Sequence, residues 1–136
     1  MDYSYLLCPF IAWLTAGGLK FVINSLITKK PAFGLIGYGG LPSNHSAIVS
    51  SMATLIALKE GSNHPAFGVA LTLAFIVMLD AASLRKQIGK QAAALNRLAK
   101  TINLKSELRE RVGHTVIEIV AGVAVGIAVA TVIAKI

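Results

Sequence analysis

Four long apolar runs dominate the chain, each close to the roughly 20 residues that a membrane-spanning helix needs. The first covers about residues 5–27, is interrupted by Lys20, and closes at Lys29, Lys30 and Pro31. The second opens at Pro42, a residue suited to the first turn of a helix, and closes at Lys59, Glu60 and Gly61. The third runs over about residues 65–84 and exits into Arg85 and Lys86; the fourth runs from Val112 to about residue 133. The pattern predicts an all-α, polytopic transmembrane helical bundle of about four spans, forming one domain over residues 1–136. The first run has neither a basic leading segment nor a small-residue cleavage site, so it reads as a retained span and not as a signal peptide.

Between the third and fourth runs the periodicity changes. Ile88, Ala92, Leu95, Leu98 and Ile102 recur at helical spacing among Lys90, Arg97, Lys100, Lys105 and Arg109. Residues 85–111 therefore read as a basic amphipathic helix, lying on the membrane interface or continuing the third span past it.

Composition narrows the class. With 55% hydrophobic and 14% charged residues and a mean hydropathy of +0.70, the chain has too little charge to cover a water-soluble globule. Cys8 is the only cysteine, which rules out an intrachain disulfide scaffold. The net charge of +7 reads first as topology and second as affinity for anionic headgroups; nucleic acid is not an expected partner. If each run crosses once, residues 33–40 and 85–111 share one face, and both termini share the other with the loop around Ser62. The first face holds nearly all the Lys and Arg, so the positive-inside rule puts it in the cytoplasm, with the protein in the cell membrane of a bacterium.

Ionisable groups within spans cost at least about 2.5–3.5 kcal/mol at mid-bilayer, which makes each a functional candidate. Lys20 lies about 12 Å from the end of its run, within snorkelling reach of the basic face. Asp80 precedes Arg85 by five residues and is placed to form an orienting ion pair with Arg85, Lys86 or Lys20. His114 and Glu118 are four apart, which on a helix stacks them on one face, and Gly122 and Gly126 continue the ladder as a small-residue stripe that faces another helix. A carboxylate that accepts one imidazole N–H fixes the tautomer and leaves the other nitrogen free as nucleophile or base.

A third feature is Gly39-Gly40-Leu41-Pro42-Ser43-Asn44-His45-Ser46. Its helix start offers unpaired N–H groups beside the Ser43 hydroxyl and the Asn44 amide, which is an anion site carrying His45. By the count of crossings, His45 and His114 reach the same face, whereas His64 falls on the opposite one as a solvated loop residue. A zinc site from His45, His114 and Glu118 is conceivable by ligand type, but the spacing matches no local metal motif such as HExxH, and serine hydrolase chemistry is weaker still, since Ser43 and Ser46 lack a GxSxG context.

Pro42-Ser43-Asn44-His45-Ser46, Asp80-Ala81-Ala82-Ser83-Leu84-Arg85 with Gly89-Lys90-Gln91, and Gly113-His114-Thr115-Val116-Ile117-Glu118 together resemble the divergent branch of the type 2 phosphatidic acid phosphatases, relatives of the vanadium haloperoxidases. The resemblance spans nearly the whole chain. It implies a cofactor-free, metal-independent phosphatase acting on a phosphomonoester or pyrophosphate of a membrane lipid. It casts His114 as the nucleophile that forms a phosphohistidine, Glu118 as its orienting carboxylate and His45 as the acid for the leaving oxygen. Lys20, Ser43, Asn44 and Arg85 are then expected to hold phosphoryl oxygens. The sequence departs from the superfamily pattern at Ile27, where an arginine stands after the lysine motif, at Asn44, where glycine is usual, and at Leu108, where an arginine precedes the histidine; Arg85 or Lys90 is expected to replace the missing arginines. Four spans are few for that superfamily, so a homodimer completing the bundle is a further expectation, with the Gly122 and Gly126 stripe as one surface. The alternative is a non-catalytic small basic membrane protein that binds anionic lipid or transports an ion.

Overall fold

The computed structural model describes residues 2–29, 40–105 and 107–136, and these form helices with no strand among them. The loop expected over residues 33–40 lies outside the described residues except for Gly40. Helix α1 is Ser4–Thr28, α2 is Asn44–Lys59, α3 is Pro65–Leu79, α4 is Arg85–Thr101 and α5 is Val116–Ile133, with a π-helical turn, Asp80–Leu84, joining α3 to α4.

Among the described residues, three helical stretches are long and apolar enough to cross a membrane: Ser4–Thr28, Pro65–Thr101 and Val116–Ile133. The second expected span does not qualify. Helix α2 has 16 residues, about 24 Å of length, against about 30 Å of hydrocarbon. It is also the most polar of the four runs, with Ser46, Ser50 and Ser51 buried along it. The helix is enclosed instead, packing on α1, α3 and α5, while α1 also touches α5. The outer three helices turn large side chains outward, among them Leu14, Leu26, Val69, Phe75, Ile117 and Val120. That distribution is the one expected where acyl chains supply the apolar surroundings.

The core is built from small residues, because without a hydrophobic force between lipid-soluble helices, close approach supplies the contact. Helix α1 buries Cys8, Ala12, Ala16 and Lys20 at a strict four-residue spacing. On α5, a Cβ at Gly122 would strike the Ser43 carbonyl oxygen, and one at Gly126 would strike Ser50 Oγ. The glycine stripe is thus filled by α2 of the same chain, which removes the surface expected for a second copy.

Local chemistry sets the helix boundaries. Helix α2 begins at Asn44, two residues beyond Pro42, because Ser43 is the N-cap and its hydroxyl accepts from Ser46 N–H at 3.4 Å. At the other end His64 is exposed as expected but also caps α3, its Nδ1 accepting from Ala66 N–H at 3.2 Å. Helix α5 begins at Val116, not Val112: Thr115 and Glu118 form a reciprocal capping box, and Gly113 at φ 96° breaks the helical path before it. The basic stretch is helical only as far as Thr101 and continues α3 through the π turn as one helix of 37 residues, about 55 Å long. Its apolar stripe of Ile88, Leu95, Leu98 and Ile102 is exposed; its packed face is instead Gly89, Ala92, Asn96 and Ala99.

Helices α2 and α5 run parallel, and α1 and α3 run against them. The starts of α2 and α5 meet through Ser43 N–H donating to Glu118 O at 2.9 Å. At the far end Lys59 Nζ reaches Asp2 Oδ2 at 2.7 Å and Ser4 Oγ at 2.8 Å, and Tyr5 donates its phenolic hydroxyl to Glu60.

Candidate active site

The end of the bundle where α2 and α5 begin gathers most of the candidates. Ser43 fixes the entry to α2 from both sides, since its N–H is held by Glu118 O and its hydroxyl is fully buried as acceptor from Ser46 Oγ–H at 3.0 Å. The next residue, Asn44, packs its amide against Gly17 of α1, and its buried Oδ1 has no partner among the described residues. His45 follows on the exposed side of the first turn.

His114 arrives by a different route from the one its spacing suggested. It stands two residues before α5, in non-helical backbone, so it is not one turn above Glu118 on a helix. The pair still meets, because Glu118 at the third position of α5 curls back over the helix start. Its Oε2 accepts from Thr115 N–H at 2.9 Å and lies 3.2 Å from His114 Nδ1. A carboxylate only accepts, so Nδ1 carries the proton and Nε2 keeps its lone pair.

The π turn holds His114 from the opposite side. There the Arg85 N–H reaches back five residues to Asp80 O, leaving the Ala81 carbonyl for His114 N–H at 3.0 Å. The same turn brings Asp80 Oδ2 to Arg85 Nε at 2.7 Å, the ion pair expected of Asp80. The rings of His45 and His114 face one another with centroids 6.2 Å apart and planes tilted by 57°. Lys20 is buried toward the bundle interior, and its charge acts on Glu118 and on both histidines. Arg85 acts on both histidines as well. Lys90 does not join them: it is exposed on α4, about 140° round the helix from Arg85.

Burial holds the His114 imidazole below the usual histidine range. The Glu118 hydrogen bond opposes that shift, whereas the Lys20 and Arg85 charges reinforce it. The result is a neutral imidazole near pH 7, oriented by a carboxylate and opposite a second imidazole, with the charges of Lys20 and Arg85 acting on both rings. Such a group can attack an electrophilic centre held by those cations, with His45 exchanging a proton on the far side.

Several contributors stand in the quoted motifs but carry no role in the sequence reading. Thr115 carries a readable signal, since Thr115-Val116-Ile117-Glu118 is a capping-box pattern. Ala81 acts through a carbonyl freed by a π turn, and Gly113 through a positive φ; the sequence advertises neither.

An all-helical, membrane-spanning chain with this paired-histidine site matches the Divergent PAP2 family over residues 1–129, and the chain belongs to that family. It is similar to an uncharacterized membrane protein of Bacillus subtilis (strain 168), YuiD, with 31% identity over 146 residues covering 95% of this chain and 92% of the relative. No solved structure matches it.

Proposed function

We propose that this protein is an integral membrane lipid phosphatase. It hydrolyses a phosphomonoester or pyrophosphate of a lipid, such as phosphatidic acid, phosphatidylglycerol phosphate or a polyprenyl diphosphate, with the acyl or prenyl chains remaining in the bilayer. The observation that carries the reading is the Glu118–His114 pair facing His45 with Lys20 and Arg85 alongside. Membership of the Divergent PAP2 family supports it. In this reading α2 is a fourth, enclosed crossing, since its ends lie at opposite ends of the bundle.

In the first step His114 Nε2 forms a bond to phosphorus while the bond from phosphorus to the leaving oxygen breaks, and His45 gives that oxygen a proton. Lys20, Arg85, the Asn44 amide and the first-turn N–H groups of α2 stabilise the equatorial oxygens. Ser43 contributes through its cap, which aims those N–H groups, and Lys90 takes no phosphoryl oxygen. Glu118 stabilises the positive charge that develops on the His114 ring. In the second step water attacks phosphorus, His45 takes its proton, and the bond to Nε2 breaks to release phosphate and the neutral imidazole.

Phosphate release from the three lipids by the purified protein, with chelator present, tests the assignment. Turnover is expected to survive chelation, His114→Gln to abolish it, and acid-labile phosphate to be trapped on the wild-type chain but not on His114→Gln. His45→Ala is expected to retain turnover of esters with good leaving groups, which need little protonation. A strict metal requirement, or equal loss on all esters in both variants, removes this mechanism.

A further inference from the structure

The backbone that delivers His114 is not part of any helix, so something else must fix its position. Residues 107–113 run back along α4 as a strap. Asn96, buried on α4, pairs with Leu108 in both directions, accepting its N–H at Oδ1 at 3.0 Å and donating from Nδ2 to its carbonyl at 2.8 Å. The same Nδ2 donates to Glu110 Oε1 at 2.9 Å. Two turns earlier on the same face, Gly89 is bare where the Glu110 carbonyl oxygen passes, so that a Cβ there would strike it. The strap ends at Gly113, whose positive φ disfavours a side chain and whose would-be Cβ lies tight against Ala81 O and Lys86 N at 3.1 Å each.

From these contacts we infer that Asn96 is a positioning residue for His114. Its amide acts as a backbone surrogate that registers the strap on α4, and the register sets where Gly113 meets the π turn and therefore where the His114 ring stands between Ala81 O and Glu118. In the phosphatase reading, on which the kinetic consequence rests, that placement governs how His114 Nε2 meets phosphorus. Misplacement of a reacting group by about 1 Å costs about 10²-fold in rate.

The test uses the full chain in detergent with three readouts. Cleavage by trypsin after Arg109 and Arg111 reports the strap; the resonance of the His114 Nδ1 proton reports the contact with Glu118; kcat and KM on a lipid phosphate report the reaction. Asn96→Leu keeps the volume but removes the pairing. It is expected to raise cleavage by about ten-fold or more, to shift or broaden the His114 signal, and to lower kcat about 10- to 100-fold with KM nearly unchanged. Asn96→Gln, which keeps the amide, is expected to recover part of each effect. If Asn96→Leu fails to fold, Gly89→Ala displaces the strap by overlap with Glu110 O and is expected to give the same three changes.

Faster cleavage with an unchanged His114 signal and unchanged kcat overturns the inference. So does a fall in kcat with cleavage and the His114 signal both as in wild type. If the wild-type protein hydrolyses none of the lipids, the phosphatase reading fails by itself, and the His114 signal in Asn96→Leu alone decides whether Asn96 positions the ring.

Discussion

Glu118 Oε2 serves two neighbours at once, the Thr115 N–H that completes the cap of α5 and the His114 ring that faces His45. Capping needs only an acceptor, whereas holding a developing imidazolium needs charge, so Glu118→Gln separates the two. The variant is expected to keep its helix and its affinity for lipid phosphate while turnover falls by about 10²- to 10⁴-fold. Glu118→Asp keeps the charge but withdraws it by one methylene, and intermediate turnover is expected. The pH profile gives an independent reading of the same residue. Burial lowers the His114 pKa below the ordinary value of about 6.5, so kcat/KM is expected to decline on the acid side at a pH below 6.5. Glu118 raises that pKa, so Glu118→Gln is expected to move the acid limb of its residual activity further down. Stability follows the same sign. The unfolded chain protonates first as pH falls through about 6.5, so the stability contribution of His114 is level above that value and is lost below it, down to the folded pKa. Unchanged turnover in Glu118→Gln, measured as phosphate release beside thermal unfolding and lipid binding, removes the carboxylate from the mechanism.

Helix α5 shows which features of an element can be read before folding and which cannot. Its apolar run and its glycine stripe were legible because both are periodic in sequence. The meeting of His114 with Glu118 was legible as a pairing but not as a geometry: four-residue spacing suggests a helical ladder, yet the cap at Thr115 starts the helix later and the pair closes across its end. Helix α2 shows the converse, since hydropathy marked it as a span like the others, while its buried serines fit it to the centre of the bundle. The π turn of Asp80–Leu84 had no signal at all, because it is selected by the partner its freed carbonyl finds in His114. The contact between α2 and α5 yields a sharp expectation. Alanine is intrinsically better than glycine in a helix by about 1 kcal/mol, but at Gly122 its methyl would overlap the Ser43 carbonyl, which belongs to the cap that aims α2 at the site. Gly122→Ala is expected to destabilise the protein by about 1–3 kcal/mol and to reduce turnover with it. Gly18→Ala on α1, where nothing lies within 4 Å, is expected to be neutral or slightly stabilising. Thermal unfolding of both variants in the same detergent checks the pair; equal stability in the two removes the close-packing account of α5.

The two ends of the molecule differ in chemistry as well as in contacts. The far end is closed by a small exposed cluster, Asp2 with Lys59 and Ser4, and Tyr5 with Glu60, in which the Lys59 ammonium holds the Asp2 carboxyl well below the usual carboxylate range. The site end is approached by the basic half of the 37-residue helix and by the strap that returns along it. Of the thirteen Lys and Arg, only Lys59 and Lys135 belong to the far end by sequence position, leaving eleven for the other. That asymmetry underlies the expectation that the site end faces the cytoplasm, and a phosphate-binding site would gather the same cations on either side. The fold itself offers a way to separate topology from ligand binding. Cys8 is buried in the core beside Leu55 and Ala130, so it contributes little labelling of its own, and Cys8→Ala supplies a cysteine-free background. On that background Ser62→Cys places one thiol in the short turn between α2 and α3, and Lys105→Cys places one beyond α4. With a membrane-impermeant thiol reagent, Ser62→Cys is expected to be labelled in intact cells and Lys105→Cys only after permeabilisation. The reverse pattern puts the histidines on the outer face, in which case the cations beside them are retained for the phosphate and not for orientation. Labelling of both thiols in intact cells, with the protein folded and active, breaks the assumption that α1, α2, α3 and α5 each cross the bilayer.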